Sequence, residues 1–459
     1  MADPPRLEPK LGTWDGTLIT IGSIVGSGIF LTTGTMAAAL PHPGLLLFVW
    51  VAAGALVFAG CQTYAELGTL FPRAGGVYHF LKESYGPLPG FLFGWSAFLV
   101  IMSGGIAAIA AGFGEYFGTF VPFFSSGNRF FSVSIGSHSW APNGGQAAGV
   151  IAILALTAVN FFGVQQGAIL QNVLTVLKLG AIAAFVAFGL LVPAPAGPAP
   201  SAPLPSGTLA AALGVAMIGA LWTYDGWYGL TFSAGELKDP ARSLPRGMIT
   251  GVLVVVGVYA LVNYIYLRAL PIETLAQTSR VGESAARALF GPVGERLISG
   301  AIVVSTFGCL SATILYSSRI YLPMAQDGLF FRSLAAIHPK YRTPARSLWA
   351  QSVWSILLIL SGSYEQLYTY VTFASVAFHA ATGAAIFFLR ARRPDVPRPY
   401  RAWGYPVVPA LFVLGSAALV VNTLAEKPRE SLIGLGLIAL GVPAFFYWRR
   451  ALPRSASPE

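Results

Sequence analysis

Gly22-Ser23-Ile24-Val25-Gly26-Ser27-Gly28-Ile29-Phe30 interrupts the first long apolar segment of the chain, placing three glycines and two serines within seven residues. Each glycine weakens a helix by roughly 1 kcal/mol relative to alanine, so three this close favour a local break that frees backbone N–H and C=O groups. In hydrocarbon those groups need protein partners or a polar cavity to line. A helix broken at mid-depth is how many transporters build a substrate site. For this segment alone the competing explanation is close helix packing through small residues.

The setting is a membrane. The 459 residues are 55% hydrophobic and 10% charged, with a mean hydropathy of +0.67, whereas soluble domains carry about 25% charged residues. Apolar windows of about 20 residues, the length of a spanning helix, occur about twelve times. Their centres fall near residues 22, 56, 102, 154, 182, 220, 257, 310, 355, 378, 414 and 439. No room is left for a separate soluble domain, so residues 1–459 read as one all-α transmembrane unit.

The net charge of +10 has to be placed before it is interpreted. With the N-terminus cytoplasmic, most of the 28 lysines and arginines fall on the inner side, which is the positive-inside bias of a multi-pass protein of the cell (inner) membrane with both termini cytoplasmic. The densest group, Arg390, Arg392, Arg393, Arg398 and Arg401, reads as an anchor facing phospholipid, not as a nucleic-acid surface. Cys61 and Cys309 both lie inside expected spans, so no disulfide framework is implied. Residues 1–12 are polar and contain no apolar leader of their own, so the first span is expected to insert uncleaved. Six prolines and no charge between Pro193 and Pro205 predict a stiff external connection between spans five and six.

A second interruption occurs in span six, at Leu221-Trp222-Thr223-Tyr224-Asp225-Gly226-Trp227-Tyr228-Gly229. Asp225 there is a carboxylate at membrane depth, expensive unless it faces a cavity or a partner. It either caps or braces a half-helix N-terminus, where the dipole favours negative charge, or contacts substrate directly. Breaks in spans one and six are what two inverted five-helix repeats would produce, about residues 12–192 and 208–390, with two extra helices over about 405–449. Half-helix N-termini would point N–H groups at an anion, and freed carbonyls would accept from a cation. Backbone alone could then hold both charges of an α-amino acid.

Other intramembrane polar residues are few. Lys178, roughly 10 Å into span five, either snorkels to the surface or forms a fixed or titrating internal cation. Glu66 and Glu115 sit near span ends and are expected to be interfacial. His379 reads as an interior histidine, with a proton relay as the alternative. The sequence has no HExxH, CxxC, GxSxG or phosphate loop, which disfavours an enzyme, a metal and a cofactor.

These residues resemble the amino acid-polyamine-organocation transporter superfamily, and within it the L-type amino acid transporter family. The resemblance runs from the Ile24–Phe30 stretch through Tyr64–Gly68, Arg73–Tyr78, Gln171-Asn172 and Lys178. It continues through Tyr224–Trp227, Gly235–Pro240, Leu244-Pro245, Ser305–Gly308, Ser317–Arg319 and Arg390–Arg401, nearly the whole chain. It implies a five-plus-five inverted-repeat fold with broken helices one and six, and sodium independence. In sodium-coupled relatives an ion ties span one to span eight. In families similar to this one a span-five lysine stands in that place, and Lys178 matches it, with Ser311 or Thr313 as neighbours.

By the same resemblance, the N–H groups of Ser27, Gly28 and Ile29 would take the substrate carboxylate. The carbonyls of Ile24, Trp222 and Asp225 would take its amino group. Trp222, Tyr224, Gly104, Gly105, Phe373 and Ser375 would shape the side-chain pocket. Trp222 departs from the phenylalanine lid of many relatives and is similar to the arginine-agmatine antiporters of the superfamily. A larger ring would shrink the pocket towards small neutral substrates or stack on a cationic one. Animal members of the L-type family carry a cysteine between spans three and four that links a heavy chain. That loop, roughly Thr119 to Gln146, has none, so no disulfide-linked partner is expected, and the short ends are similar to prokaryotic members.

The leading expectation is therefore a sodium-independent alternating-access exchanger of neutral L-amino acids. A proton-coupled symporter and a cationic amino acid or polyamine antiporter are the alternatives. A channel would show repeated backbone motifs or charged rings, and neither is visible. A non-transporting amino acid sensor would bind without flux.

Overall fold

A computed structural model describes residues 7–135, 138–193, 208–361 and 364–450. The helices are α1 (Thr13–Ile24), α2 (Gly28–Ala39), α3 (Pro43–Leu70), α4 (Val77–Tyr85), α5 (Pro87–Ser96), α6 (Met102–Phe117), α7 (Gly144–Phe161), α8 (Val164–Leu191) and α9 (Leu209–Tyr224). They continue with α10 (Pro240–Ala269), α11 (Ile272–Gln277), α12 (Val281–Gln326), α13 (Ala345–Ser361), α14 (Tyr364–Arg392), α15 (Val407–Glu426), α16 (Pro428–Ala439) and α17 (Gly441–Arg450). A π-helical turn, Ala97–Ile101, joins α5 to α6, and a 3-10 helix, Gly229–Glu236, follows α9. A short antiparallel hairpin, Val133–Ile135 with His138–Trp140, decorates the connection between α6 and α7.

Local chemistry sets the starts. The Asn143 side chain accepts from the Gln146 N–H at 3.0 Å while the Gln146 side chain accepts from the Asn143 N–H at 3.1 Å, a reciprocal cap that satisfies two orphan donors of α7. Proline opens α3 and α10, where its missing N–H has no intrahelical acceptor to lose.

Eleven helices among the described residues, each broken or kinked pair counted once, are long and apolar enough to cross a membrane. Helix α13, with 17 residues, covers about 26 Å, close to a hydrocarbon thickness of about 30 Å, and brings the number to the expected twelve. The proline-rich connection from Pro193 to Pro205 lies almost entirely outside the described residues.

The packing reproduces the two-repeat organisation. Helix α1 lies against α8 and α10, as α9 lies against α14 and α3; α12 lies against α8 and α13, as α6 lies against α14 and α7. Exchanging the two sets of five spans leaves this neighbour pattern unchanged. The first span is buried along its whole apolar window, so it runs through the centre of the bundle.

One sequence expectation fails here. Glu66 does lie near the end of α3, but it is 1% exposed and accepts from Arg390 at 2.9 and 2.6 Å and from the Ala402 N–H at 2.7 Å, with the Arg398 guanidinium at 3.3 Å. The arginine cluster consequently does not face lipid as a unit. Arg390 also stacks 3.7 Å over Tyr405, Arg393 pairs with Glu83 at 3.0 Å, Arg392 reaches the Ser84 carbonyl at 3.4 Å, and Arg398 bonds the Leu389 carbonyl at 3.2 Å. Linear charge density could not show that the carboxylates needed to neutralise it are supplied by α3 and α4. Glu115 does sit near a span end, half-buried and paired with Arg280 at 3.0 Å.

Candidate functional site

Both interruptions are real breaks. Helix α1 ends at Ile24, Val25 turns extended (φ −76°, ψ 91°), and α2 begins at Gly28. Helix α9 ends at Tyr224, Asp225 is extended (φ −59°, ψ 156°), and Gly226 adopts φ +94°, a region that glycine enters without strain.

The carbonyls released at the end of α1 are taken by side chains from three other helices. The Lys178 ammonium on α8 donates to Gly22 O at 2.7 Å and Val25 O at 2.6 Å. Ser305 of α12 donates to the same Val25 O at 3.3 Å, Cys309 of α12 to Ser23 O at 3.0 Å, and Tyr259 of α10 to Ile24 O at 2.9 Å. A cation here meets the negative end of the α1 dipole. Lys178 is 1% exposed, which rules out snorkelling, and its ammonium ties span five to the break in span one. Its neighbours on α12 are Ser305, Gly308 and Cys309, one to two turns before the expected Ser311 and Thr313. The Thr313 hydroxyl instead donates to the Cys309 carbonyl at 2.9 Å, and the buried Ser311 hydroxyl has no hydrogen-bond partner.

The two breaks are bound to each other. The Tyr259 hydroxyl lies 2.9 Å from Ile24 O and 3.1 Å from Thr223 O, bridging the last turns of α1 and α9. The Thr32 and Thr223 hydroxyls are 2.7 Å apart, joining α2 to α9. A Cβ on Gly226 would meet Ser23 O at 2.9 Å, and one on Gly28 would meet Thr223 Oγ1 at 2.7 Å and Cα at 3.0 Å. Both glycines are therefore required for backbone approach. The Asp225 carboxylate lies beside the Gly226 N–H and the Tyr228 hydroxyl, at the second break.

Between the breaks lies a cavity lined by Ser27, Gly28, Gly105, Trp222, Asp225 and Thr313, among others. By helix geometry the first N–H groups of a helix have no acceptor in it; in α2 that of Phe30 bonds Ser27 O at 3.1 Å, and Gly28 brings the start of the helix to this wall. Nearly every lining residue is buried. About 30 Å³ is open to the centre of a water molecule, room for about two waters at ~10–15 Å³ each. A larger guest enters only when the lining moves. Trp222 and Asp225 also line a second small cavity with Ser375, Trp227 and His379, so this pair forms the partition between the two.

Other expected site residues fall elsewhere. Tyr224 turns towards α3 and α10, where its hydroxyl donates to Trp50 O at 3.2 Å and its ring packs 5.0 Å from Tyr259. Gly104 faces Val371 of α14, and Phe373 lies against Gly434 of α16. Those three pack helices together and do not line the first cavity; Ser375 lines only the second. The Ile24 carbonyl accepts from Tyr259 at 2.9 Å, and the Trp222 carbonyl accepts the Asp225 N–H at 3.1 Å. Ile29 is buried behind Gly28. His379 sits among Tyr64, Trp227, Tyr228 and Phe412, with ring centroids 4.7–6.4 Å away.

Sequence reasoning passed over Tyr259, Ser305 and the π turn before Met102. A hydroxyl at mid-depth of span seven was the available signal for Tyr259. The π turn had none, though its Leu99 carbonyl is met by Trp354 Nε1 at 2.9 Å and its last residue, Ile101, lines the cavity, a placement π turns often have. Among the described residues no group of three or more His, Cys, Asp or Glu side chains is placed to hold a metal.

Two broken helices facing one closed mid-membrane cavity, inside a bundle whose halves pack alike, define a multi-pass carrier and not an enzyme. The chain belongs to the amino acid permease family, whose profile matches residues 11–441. It is 31% identical over 445 residues to the serine/threonine exchanger SteT of Bacillus subtilis (strain 168), covering 96% of this chain and 97% of that one. It is 29% identical to the human b(0,+)-type amino acid transporter 1, covering 96% of this chain and 88% of that protein. To the human large neutral amino acids transporter small subunit 2 it is 30% identical, over 96% and 81%.

Proposed function

We propose that this permease is a sodium-independent, alternating-access exchanger of small neutral L-α-amino acids in the cell membrane, with both termini cytoplasmic. The observation that carries this reading is the Lys178 ammonium bound to Gly22 O and Val25 O. A covalently attached cation does the bracing that a bound sodium would do, and a second monovalent cation there would meet its repulsion.

In this reading the N–H groups of Ser27, Gly28 and Ile29 receive the substrate carboxylate at the positive end of α2. The amino group goes to the carbonyls of Ile24, Trp222 and Asp225. The side chain lies towards Gly105 and Thr313, with Trp222 limiting its size, which agrees with a full-length relative named as a serine/threonine exchanger. Differential affinity for the two facing states drives the bundle motion. Both cysteines are buried, which supports a chain without a disulfide-linked partner.

Counterflow in proteoliposomes tests the proposal. Uptake of labelled L-serine or L-alanine is expected only with a neutral amino acid inside, unchanged when choline replaces sodium or when the proton gradient is collapsed, and weak for the D-enantiomer. Equal uptake into empty vesicles sinks exchange, and loss with the proton gradient moves the assignment to symport. The Asp225 carboxylate on the cavity wall gives a specific reason to test cations too. Competition by arginine or putrescine at the level of serine transfers the assignment to a cationic amino acid or polyamine antiporter.

A further inference from the structure

A basic pocket lies outside the transport path, where α7 ends and α8 begins. Lys10, Lys340 and Arg342 line it together with Glu8, Tyr341 and residues 162–166. About 210 Å³ is open to the centre of a water molecule, against about 30 Å³ in the cavity between the broken helices.

The turn that presents the two loop cations is rigid. His338 N donates to Thr343 O at 2.9 Å, Arg342 N to His338 O at 2.9 Å, and the Thr343 hydroxyl to Phe161 O at 2.9 Å. The Tyr341 ring stacks 4.7 Å from His338 and packs 5.3 Å from Phe162. Arg342 is the one described residue other than glycine with positive φ, at 56°. Strained backbone of this kind persists where surrounding structure holds it, most often at binding sites. An anionic oxygen is already present: the Glu8 carboxylate lies 2.9 Å from Lys10 Nζ and 3.5 Å from Arg342 Nε. Lys10 and Arg342 hold that carboxyl below its usual range, Lys10 chiefly. Three cations against one carboxylate leave an excess of positive charge, and the free N–H groups of the first turn of the 28-residue α8 add to it.

The surface leading away from the pocket identifies the anion's other end. Phe162, Ile169, Val173, Val176 and Leu177 are large, apolar and exposed; within α8 their spacing puts them on one helical face. A phosphate-sized basic pocket continuous with a lipid-facing apolar stripe fits a phospholipid whose headgroup enters the pocket and whose chain runs along α8.

We propose that this pocket binds the headgroup of an anionic phospholipid and that Glu8 competes for the same cations. The test uses the full-length protein in detergent, following thermal stability and, by native mass spectrometry, retained lipid. Short-chain phosphatidylglycerol is expected to stabilise the protein more than phosphatidylcholine of equal chain length. Lys340→Gln with Arg342→Gln, both in a loop outside the transport cavity, is expected to weaken phosphatidylglycerol binding at least tenfold while serine still stabilises the variant. Glu8→Gln is expected to tighten it. Equal effects of the two lipids, an unchanged phosphatidylglycerol effect in the double variant, or weaker binding by Glu8→Gln each overturns the proposal. Stabilisation by inorganic phosphate equal to that by phosphatidylglycerol overturns the lipid assignment in favour of a free anion.

Discussion

Lys178 explains why a lysine can live in the middle of this bundle. No carboxylate is needed, because two carbonyls at the negative end of a half-helix receive the charge, and Ser305 shares one of them. Lys178→Met keeps the bulk and removes the donor, leaving Val25 O to Ser305 alone and Gly22 O buried without the lysine, at a cost of about 1–3 kcal/mol for the latter. A lower melting temperature and a loss of exchange are expected; wild-type values for both would return the lysine to a passive role. Tyr259 is the second residue of this kind. Its hydroxyl bonds the last turns of both α1 and α9, so Tyr259→Phe is expected to slow exchange while expression is maintained. Unchanged turnover in counterflow would show that the bridge does not govern the moving parts.

At the scale of elements, the half-helices are held by close backbone approach, which is why glycine recurs at both breaks. Gly226→Ala combines an unfavourable φ, costing about 1–2 kcal/mol, with a Cβ 2.9 Å from Ser23 O, and a marked fall in thermal stability is expected. Gly28 is subtler. Its missing side chain faces Thr223, so a loss of transport on enlarging it arises from separating α2 and α9 as well as from blocking the carboxylate site. A double-mutant cycle separates the two: in a Thr223→Ala background, which removes the 2.7 Å contact with Oγ1, Gly28→Ala is expected to regain part of the lost stability. If it regains stability but not serine binding, the N–H groups of α2 are the binding element. Recovery of both makes packing the whole effect.

For the whole molecule, a buried pair that the linear chain does not announce ties α12 to the 3-10 helix after α9. Arg319 of α12 donates to Glu236 at 2.7 and 3.0 Å, with side chains 1% and 0% exposed. The Glu236 carbonyl receives the N–H groups of Lys10 and Leu11 at 2.9 Å. Glu236→Gln leaves the guanidinium without a counter-charge and is expected to cost about 3–5 kcal/mol, whereas Glu236→Gln with Arg319→Met recovers much of it. Melting temperatures of the single and double variants check this; equal destabilisation would mean that the pair is not coupled.

The sequence by itself determined the membrane setting, the number of spans, both breaks and the lysine, because apolar length and clustered glycine act locally. It did not determine which groups meet. The partners of Lys178 lie 153 and 156 residues away, Tyr224 turns its ring to α3, Trp222 separates two cavities, and Arg390 and Arg398 of the arginine cluster close on Glu66. Each of these outcomes depends on which helix face lies against which, and only the packing of the two repeats fixes that. Freed carbonyls must be satisfied by whatever donors the fold brings within about 3 Å, and no local pattern names those donors.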